Sequence, residues 1–374
     1  MIYKFLLLLL QQIMIVYCEK FLKIDYFNIL GSYHLRLLLG KKLYVKYFEI
    51  NLDRDVSIMS NSYYRPSKET KIYSKGSYDY TPNQNLEYQL MSELYYFENS
   101  RNIQRDSLFF YYFDRPLPTY DCITFSHKTF DKRFLLTYVL KKQRIIDKLK
   151  FAFVPGKYNN GNLFFGGIPP EILSNLYPII FQIDTRYSGW GTLVANFKIG
   201  VEEYKRSHYG SFQTRKRYIY APKGFTVFLH EKIFKNYISN KTCVVVEHNS
   251  KQLYQCYDEI LNTFPSISRI LDNVVISFNN THLFTCDYSQ CTFLVIENKE
   301  NDNWEIGNCF MEMFSMEFDY DSNCFTIYID RKNASIKIIN LPYINSKIII
   351  IIITIILNGL GISILFVTYF FNFK

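Results

Sequence analysis

FLLTYVLKKQRIIDKLKFAFVPG at residues 134–156, with GNLFFGGIPPEI at 161–172 close behind, changes its apolar period part-way along. Phe134–Leu149 carries apolar residues at helical spacing. FAFVPG and GNLFFGG are short apolar runs bounded by Gly, Pro and Asn, as strands joined by a turn would be. The stretch therefore reads as a helix feeding a β-hairpin.

Outward from it, the chain is a succession of β-type runs: YHLRLLLG, LYVKYFEINL, LFFYYF, IIFQID, GTLVANFKIG, TVFLH, VVISF, CTFLVIE, MEFDY and CFTIYID. Several alternate apolar and polar residues, as half-buried antiparallel strands do; a second helical stretch covers His230–Ile238. At 374 residues the chain has enough length for two lobes, each with its own core. The predicted class is mainly β.

The two ends differ from the middle. Residues 1–18 read as a secretory signal, with Lys4, the run FLLLLL and then IMIVY before Cys18. Residues 348–371, about 24 and almost wholly apolar, suffice for a transmembrane helix, which leaves the bulk of the chain lumenal or extracellular. A lipid-anchor signal beginning at Asn333-Ala334-Ser335 is the rival reading of this tail.

Lys and Arg number 43 against 34 Asp and Glu, a net charge of +9, but the cations are dispersed. Their densest cluster, Lys205–Arg217, reads as a solvated loop, and nucleic acid is not expected as a partner. Of eight cysteines, six fall between Cys243 and Cys324, which in an oxidising compartment implies disulfides. Cys286 and Cys291 with His282 lack a second ligand pair, so neither metal nor cofactor is expected. Asn240, Asn279 and Asn333 each open an N-x-S/T sequon for glycosylation.

Taken in order, the runs resemble the pepsin-like aspartic peptidase family. YHLRLLLG at 33–40 resembles the family's opening strand. FEINLDRDVSIMS at 48–60 lies where the family has its first Asp-Thr-Gly-Ser, and Tyr73-Ser74-Lys75-Gly76-Ser77 resembles the flap tip. Residues 134–172 resemble its helix, strand and G-x-L-x-F-G-G hairpin; Glu305–Ile329 resembles its closing strands. The resemblance implies a bilobal fold, two β lobes around a cleft: an N-terminal lobe over 33–180 and a C-terminal lobe over 181–340, followed by the transmembrane helix.

It also implies a site of two carboxylates sharing a proton, one activating water and the other assisting the scissile carbonyl. Leu52-Asp53 matches the first motif, which makes Asp53 the first, vestigial, catalytic aspartate, with Arg54 and Asp55 in place of Thr and Gly. Alignment on Gly224 puts Pro222 at the second aspartate; alignment on Leu229-His230 puts Ala221 there. Neither moves a proton. Asp184-Thr185-Arg186 precedes Trp190 and Gly200, too early for the second motif, and reads as a loop. Ile123-Thr124-Phe125 replaces an apolar-apolar-Gly brace that the second lobe keeps at Gly307.

From the same resemblance come a flap of Tyr73, Gly76 and Ser77 and a disulfide Cys256–Cys291; Cys309 and Cys324 flank the last hairpin and could pair. The expectation is a membrane-anchored, inactive pseudoprotease binding a peptide or protein. The alternatives are an active endopeptidase whose second carboxylate comes from Glu202, Glu203 or another chain, and a structural surface glycoprotein. Chemistries signalled by G-x-S-x-G, H-E-x-x-H or a phosphate-binding glycine loop fare worse, since none of those motifs appears.

Overall fold

The computed structural model describes residues 20–338 apart from 30, 40–43, 61–65, 67–69, 82–83, 97–106, 115–116, 118–120, 130, 157–159, 188, 249–250, 272–273, 279 and 331–335. Residues 1–18, expected to be a signal, and the apolar tail 348–371, expected to be a transmembrane helix, lie outside the described residues; among those described, no helix is long and apolar enough to cross a membrane.

A 13-stranded sheet forms the backbone of the fold. One end carries Leu176–Gln182, Cys324–Asp330 and Ser315–Asp319; Lys150–Pro155 and Gly161–Phe165 lead on to Leu22–Ile29, Ser32–Leu39 and Tyr44–Asn51. The order then runs through Cys122–Thr124, Ile58–Ser60, Ser107–Phe113, Gln84–Tyr96 and Lys71–Thr81. Two five-stranded sheets and one four-stranded sheet build the C-terminal part.

The ordering of strands follows burial. In Leu22–Ile29, Leu22, Ile24 and Tyr26 face the core while Lys23 and Asp25 face water, the alternation of a sheet covered on one side. This strand precedes the expected start of the fold at Tyr33. The Phe134–Gly156 stretch forms a 3₁₀ turn, Lys132–Phe134, and a helix, Leu136–Lys142, that ends sooner than its periodicity suggested; Arg144 there has φ 60°. FAFVPG and GNLFFGG pair as the predicted hairpin, Phe151↔Phe165 to Pro155↔Gly161.

TVFLH, read as a strand, lies instead in a helical run from Lys223 to Ser239. Phe225, Leu229 and Ile233 are spaced to share one helical face, and all three are buried. A strand would turn Val227 to that same face, but it is half exposed, which decides against a strand.

Where the two halves meet, Trp190 is fully buried; its ring lies against Phe151, Phe318 and Tyr320, and its Nε1 donates to the Phe125 carbonyl at 2.7 Å. The Tyr320 hydroxyl donates to the same carbonyl at 2.9 Å.

Candidate functional site

Each lobe repeats one arrangement. In the first, Tyr44–Asn51 runs parallel to Cys122–Thr124 with Ile50 opposite Ile123, and the chain returns antiparallel with Ile58 opposite Cys122. In the second, His208–Phe212 runs parallel to Trp304–Ile306 with Phe212 opposite Ile306, and the return places Tyr220 opposite Glu305. Matching Ile50 to Phe212 and Ile123 to Ile306 brings Ile58 onto Tyr220, so the two loops have equal length. The next residue after each matched strand position is Asn51 in one lobe and Gln213 in the other.

The loops tie the lobes together at these residues. The Thr214 hydroxyl donates to the Ile50 carbonyl across the lobes. Tyr33 N donates to the Thr214 carbonyl at 3.3 Å, and Asn308 Nδ2 donates to it at 2.8 Å. Asn51 is buried; its Oδ1 accepts from the backbone N–H groups of Asp53 at 3.0 Å and Arg54 at 2.8 Å. Its Nδ2, also buried, has no partner among the described residues. Gln213 is buried as well, and its N–H donates to the Ile306 carbonyl at 2.9 Å.

Two carboxamides thus occupy the equivalent positions. Neither Asn nor Gln titrates in water's range, so the pair has no proton to share. Gln213-Thr214 keeps the threonine of an Asp-Thr-Gly motif with the aspartate replaced, a signal that was readable in SFQTRKR.

The second-lobe expectation was therefore placed too far along the chain. Ala221 lies on the return strand Ile219–Ala221 opposite Glu297, and Pro222 caps the helix Lys223–Leu229. Asp53 sits two residues beyond Asn51, on the loop rather than at its first position. By the same ladder, Thr124 rather than Phe125 corresponds to Gly307. Asp184 pairs with Arg186 at 2.6 Å in an exposed turn, as a loop residue does.

Charge enters from Arg215, in the second lobe. Its Nε lies 3.4 Å from Glu49 and its terminal nitrogen 3.6 Å from Asp53, both in the first lobe. Burial pushes the Glu49 carboxyl up to about 7, against the pull of Arg215 and Arg54. Glu202 and Glu203 belong elsewhere: they pair with Lys232 and Lys205 on a strand beside Phe197–Ile199.

The flap residues sit in the hairpin Lys71–Thr81/Gln84–Tyr96, which closes between Thr81 and Gln84. Tyr73 is half exposed beside Phe109, and Gly76 lies mid-strand opposite Tyr88, so the Tyr73–Ser77 segment is not the hairpin tip. A Cβ on Gly76 would come within 2.9 Å of the Tyr88 hydroxyl.

Cysteine pairing also differs from expectation. Cys243 joins Cys256 and Cys286 joins Cys291, while Cys122, Cys309 and Cys324 are buried thiols. Cys256 and Cys291 are still direct neighbours on adjacent strands, but each bonds outward to the strand on its other side. Among the described residues no cluster suits a metal. Asn240 is exposed at the end of the helix Lys235–Ser239; Asn279 and Asn333 lie outside the described residues.

Beside the Thr214 junction lies a groove of about 820 Å³ between the Asn28–Gly31 turn and segments carrying Arg217, His282 and Glu312. Asn28 Nδ2 donates to Glu312 at 2.8 Å; burial raises the Glu312 carboxyl, with Asn28 and Arg217 opposing. His282 Nδ1 and Asn308 Oδ1 are buried without partners among the described residues. The groove offers an acid, a cation and unused polar atoms.

A solved structure, the crystal structure of aspartic proteinase from Irpex lacteus, shares this fold at 12% identity, with TM-score 0.65 over 84% of this chain and 99% of that one. No curated protein matches the sequence. A family model described as eukaryotic aspartyl protease matches residues 121–327, more than half of the chain and a span that includes Gln213-Thr214 and Gly307. With the paired loops, the bilobal sheet order and that match in agreement, the chain belongs to the eukaryotic aspartyl protease family.

Proposed function

We propose that this chain is a catalytically silent member of its family, held in a membrane of the secretory pathway or cell surface, that binds a peptide or protein partner in its groove. The observation that carries this reading is the pair Asn51 and Gln213 at equivalent positions of the two lobes. Hydrolysis needs a base and an acid at that point, and carboxamides are neither. Binding has no such requirement, since strand edges and a polar groove hold extended peptides without proton transfer.

A specific observation favours a second reading, an active endopeptidase. Glu49, whose carboxyl burial pushes up to about 7, and Asp53 both flank Arg215, which brings two carboxyls together, the arrangement an acid–base pair needs. The test is cleavage of a peptide library by the purified chain from acidic to neutral pH, beside Asp53→Ala and Glu49→Gln. No cleavage above the variants supports the silent reading. Cleavage lost in both variants overturns it in favour of the second. Resistance of the chain to alkaline carbonate extraction from membranes tests the anchor.

A further inference from the structure

Four cysteines stand in one row across the four-stranded sheet Cys243–His248, Lys251–Tyr257, Gln290–Phe293, Phe284–Asp287. Cys243 is opposite Cys256, Cys256 opposite Cys291, and Cys291 opposite Cys286. Directly opposed residues project from the same face of a sheet, so the four sulfurs line up on that face. Tyr257 N donates to the Thr242 carbonyl at 3.0 Å, which makes Cys243/Cys256 a non-hydrogen-bonded pair and Cys256/Cys291 a hydrogen-bonded one. Opposed Cα atoms in such a pair stand roughly 5.5 Å apart, inside the range that a disulfide spans. The central pair is therefore placed to bond, although in this structure both of its members bond outward.

The ends of the row differ in access. Cys243, Cys256 and Cys291 are buried, whereas Cys286 is exposed and lines a groove of about 470 Å³ that Arg217 also lines.

We propose that this row is a thiol–disulfide exchange site that a dithiol reductant enters at Cys286. One reductant sulfur attacks Cys286 Sγ and forms a mixed disulfide, expelling the Cys291 thiolate. That thiolate attacks Cys256 Sγ, forming Cys256–Cys291 and expelling the Cys243 thiolate on the far side, the in-line arrangement that exchange requires. The second reductant thiol then attacks the mixed disulfide, releasing Cys286 and leaving the reductant as its cyclic disulfide. Two electrons pass from the dithiol; two bridges become one, and Cys243 and Cys286 end as thiols. The shift unstaples the two outer strands, including Phe284–Asp287, which follows the His282 wall of the larger groove.

The test is stepwise reduction of the purified full-length chain with dithiothreitol, followed by acid quench, alkylation in denaturant and non-reducing peptide mapping. The buried thiols Cys122, Cys309 and Cys324 label at every step and serve as the reference. After one equivalent is consumed, the Cys256–Cys291 cross-link should be the main bridge, with Cys243 and Cys286 newly labelled. In Cys286→Ser, the same cross-link should form with no reductant added. Loss of Cys286–Cys291 with Cys243–Cys256 intact and no Cys256–Cys291 peptide would overturn the proposal. The wild-type titration decides the matter by itself if the variant does not fold.

Discussion

The Thr214 hydroxyl donates to the Ile50 carbonyl, so a side chain of one lobe satisfies a backbone group of the other directly beside Asn51 and Gln213. Thr214 is buried, and water has no ready access to replace the bond. Thr214→Val keeps the volume but leaves the carbonyl unsatisfied, at an expected loss of about 1–3 kcal/mol. Denaturant unfolding of the two proteins measures it; an unchanged midpoint would show that the carbonyl finds another donor.

Glu49 should make stability depend on pH with an unusual sign. Its folded carboxyl holds a proton up to about 7, whereas in the unfolded chain it ionises near 4.5. Below the lower value both states are protonated. Between the two values the unfolded state alone has lost its proton, so stability falls as pH rises, by on the order of 3 kcal/mol for this group. Glu49→Gln should flatten that fall. Because Arg215 opposes the upward shift, Arg215→Met should move the upper end of the window to higher pH. Thermal melts across pH 4 to 8 on the three proteins follow both effects.

Gly307 has no room for a side chain. A Cβ there would lie 2.2 Å from the Tyr218 carbonyl oxygen and 2.3 Å from that of Lys216, both on the loop that carries Gln213. Backbone oxygens cannot swing aside, so Gly307→Ala must displace the loop, and a loss of roughly 3 kcal/mol or failure to fold is expected. Thr124→Ala, at the matching first-lobe position, should be milder, since it removes a hydroxyl that donates to the Arg54 carbonyl and inserts nothing. Comparing soluble yield and unfolding midpoints of the pair checks the order.

The Phe125 carbonyl has two donors, Trp190 Nε1 and the Tyr320 hydroxyl. Either Trp190→Phe or Tyr320→Phe leaves one in place; together they leave the oxygen bare. A double-mutant cycle should therefore give a combined loss larger than the sum of the single losses, by about 1–2 kcal/mol. Additive losses would mean that one of the two bonds contributes nothing.

The mainly β class was legible because burial on one face prints an alternation into a strand, as in Phe197–Ile199, where Lys198 is exposed between two buried neighbours. TVFLH misled because five residues are too few to separate a strand from the helical spacing of Phe225, Leu229 and Ile233. Leu22–Ile29 was not legible because it abuts the apolar segment 1–18.

By itself the sequence determined a mainly β, bilobal chain of the aspartyl protease type, since local patterns and their order suffice for that. Which residues stand at the paired positions was decided only by tertiary structure. Register between strands some 70 to 95 residues apart, Ile50 with Ile123 and Phe212 with Ile306, selects Asn51 and Gln213 over Asp53, Ala221 and Pro222. The cysteines follow the same logic: each member of the central pair has two neighbours in reach, so spacing along the chain does not say which way it bonds. A slip of one residue turns a side chain to the opposite face of a sheet, and the packing of a whole lobe is what forbids the slip.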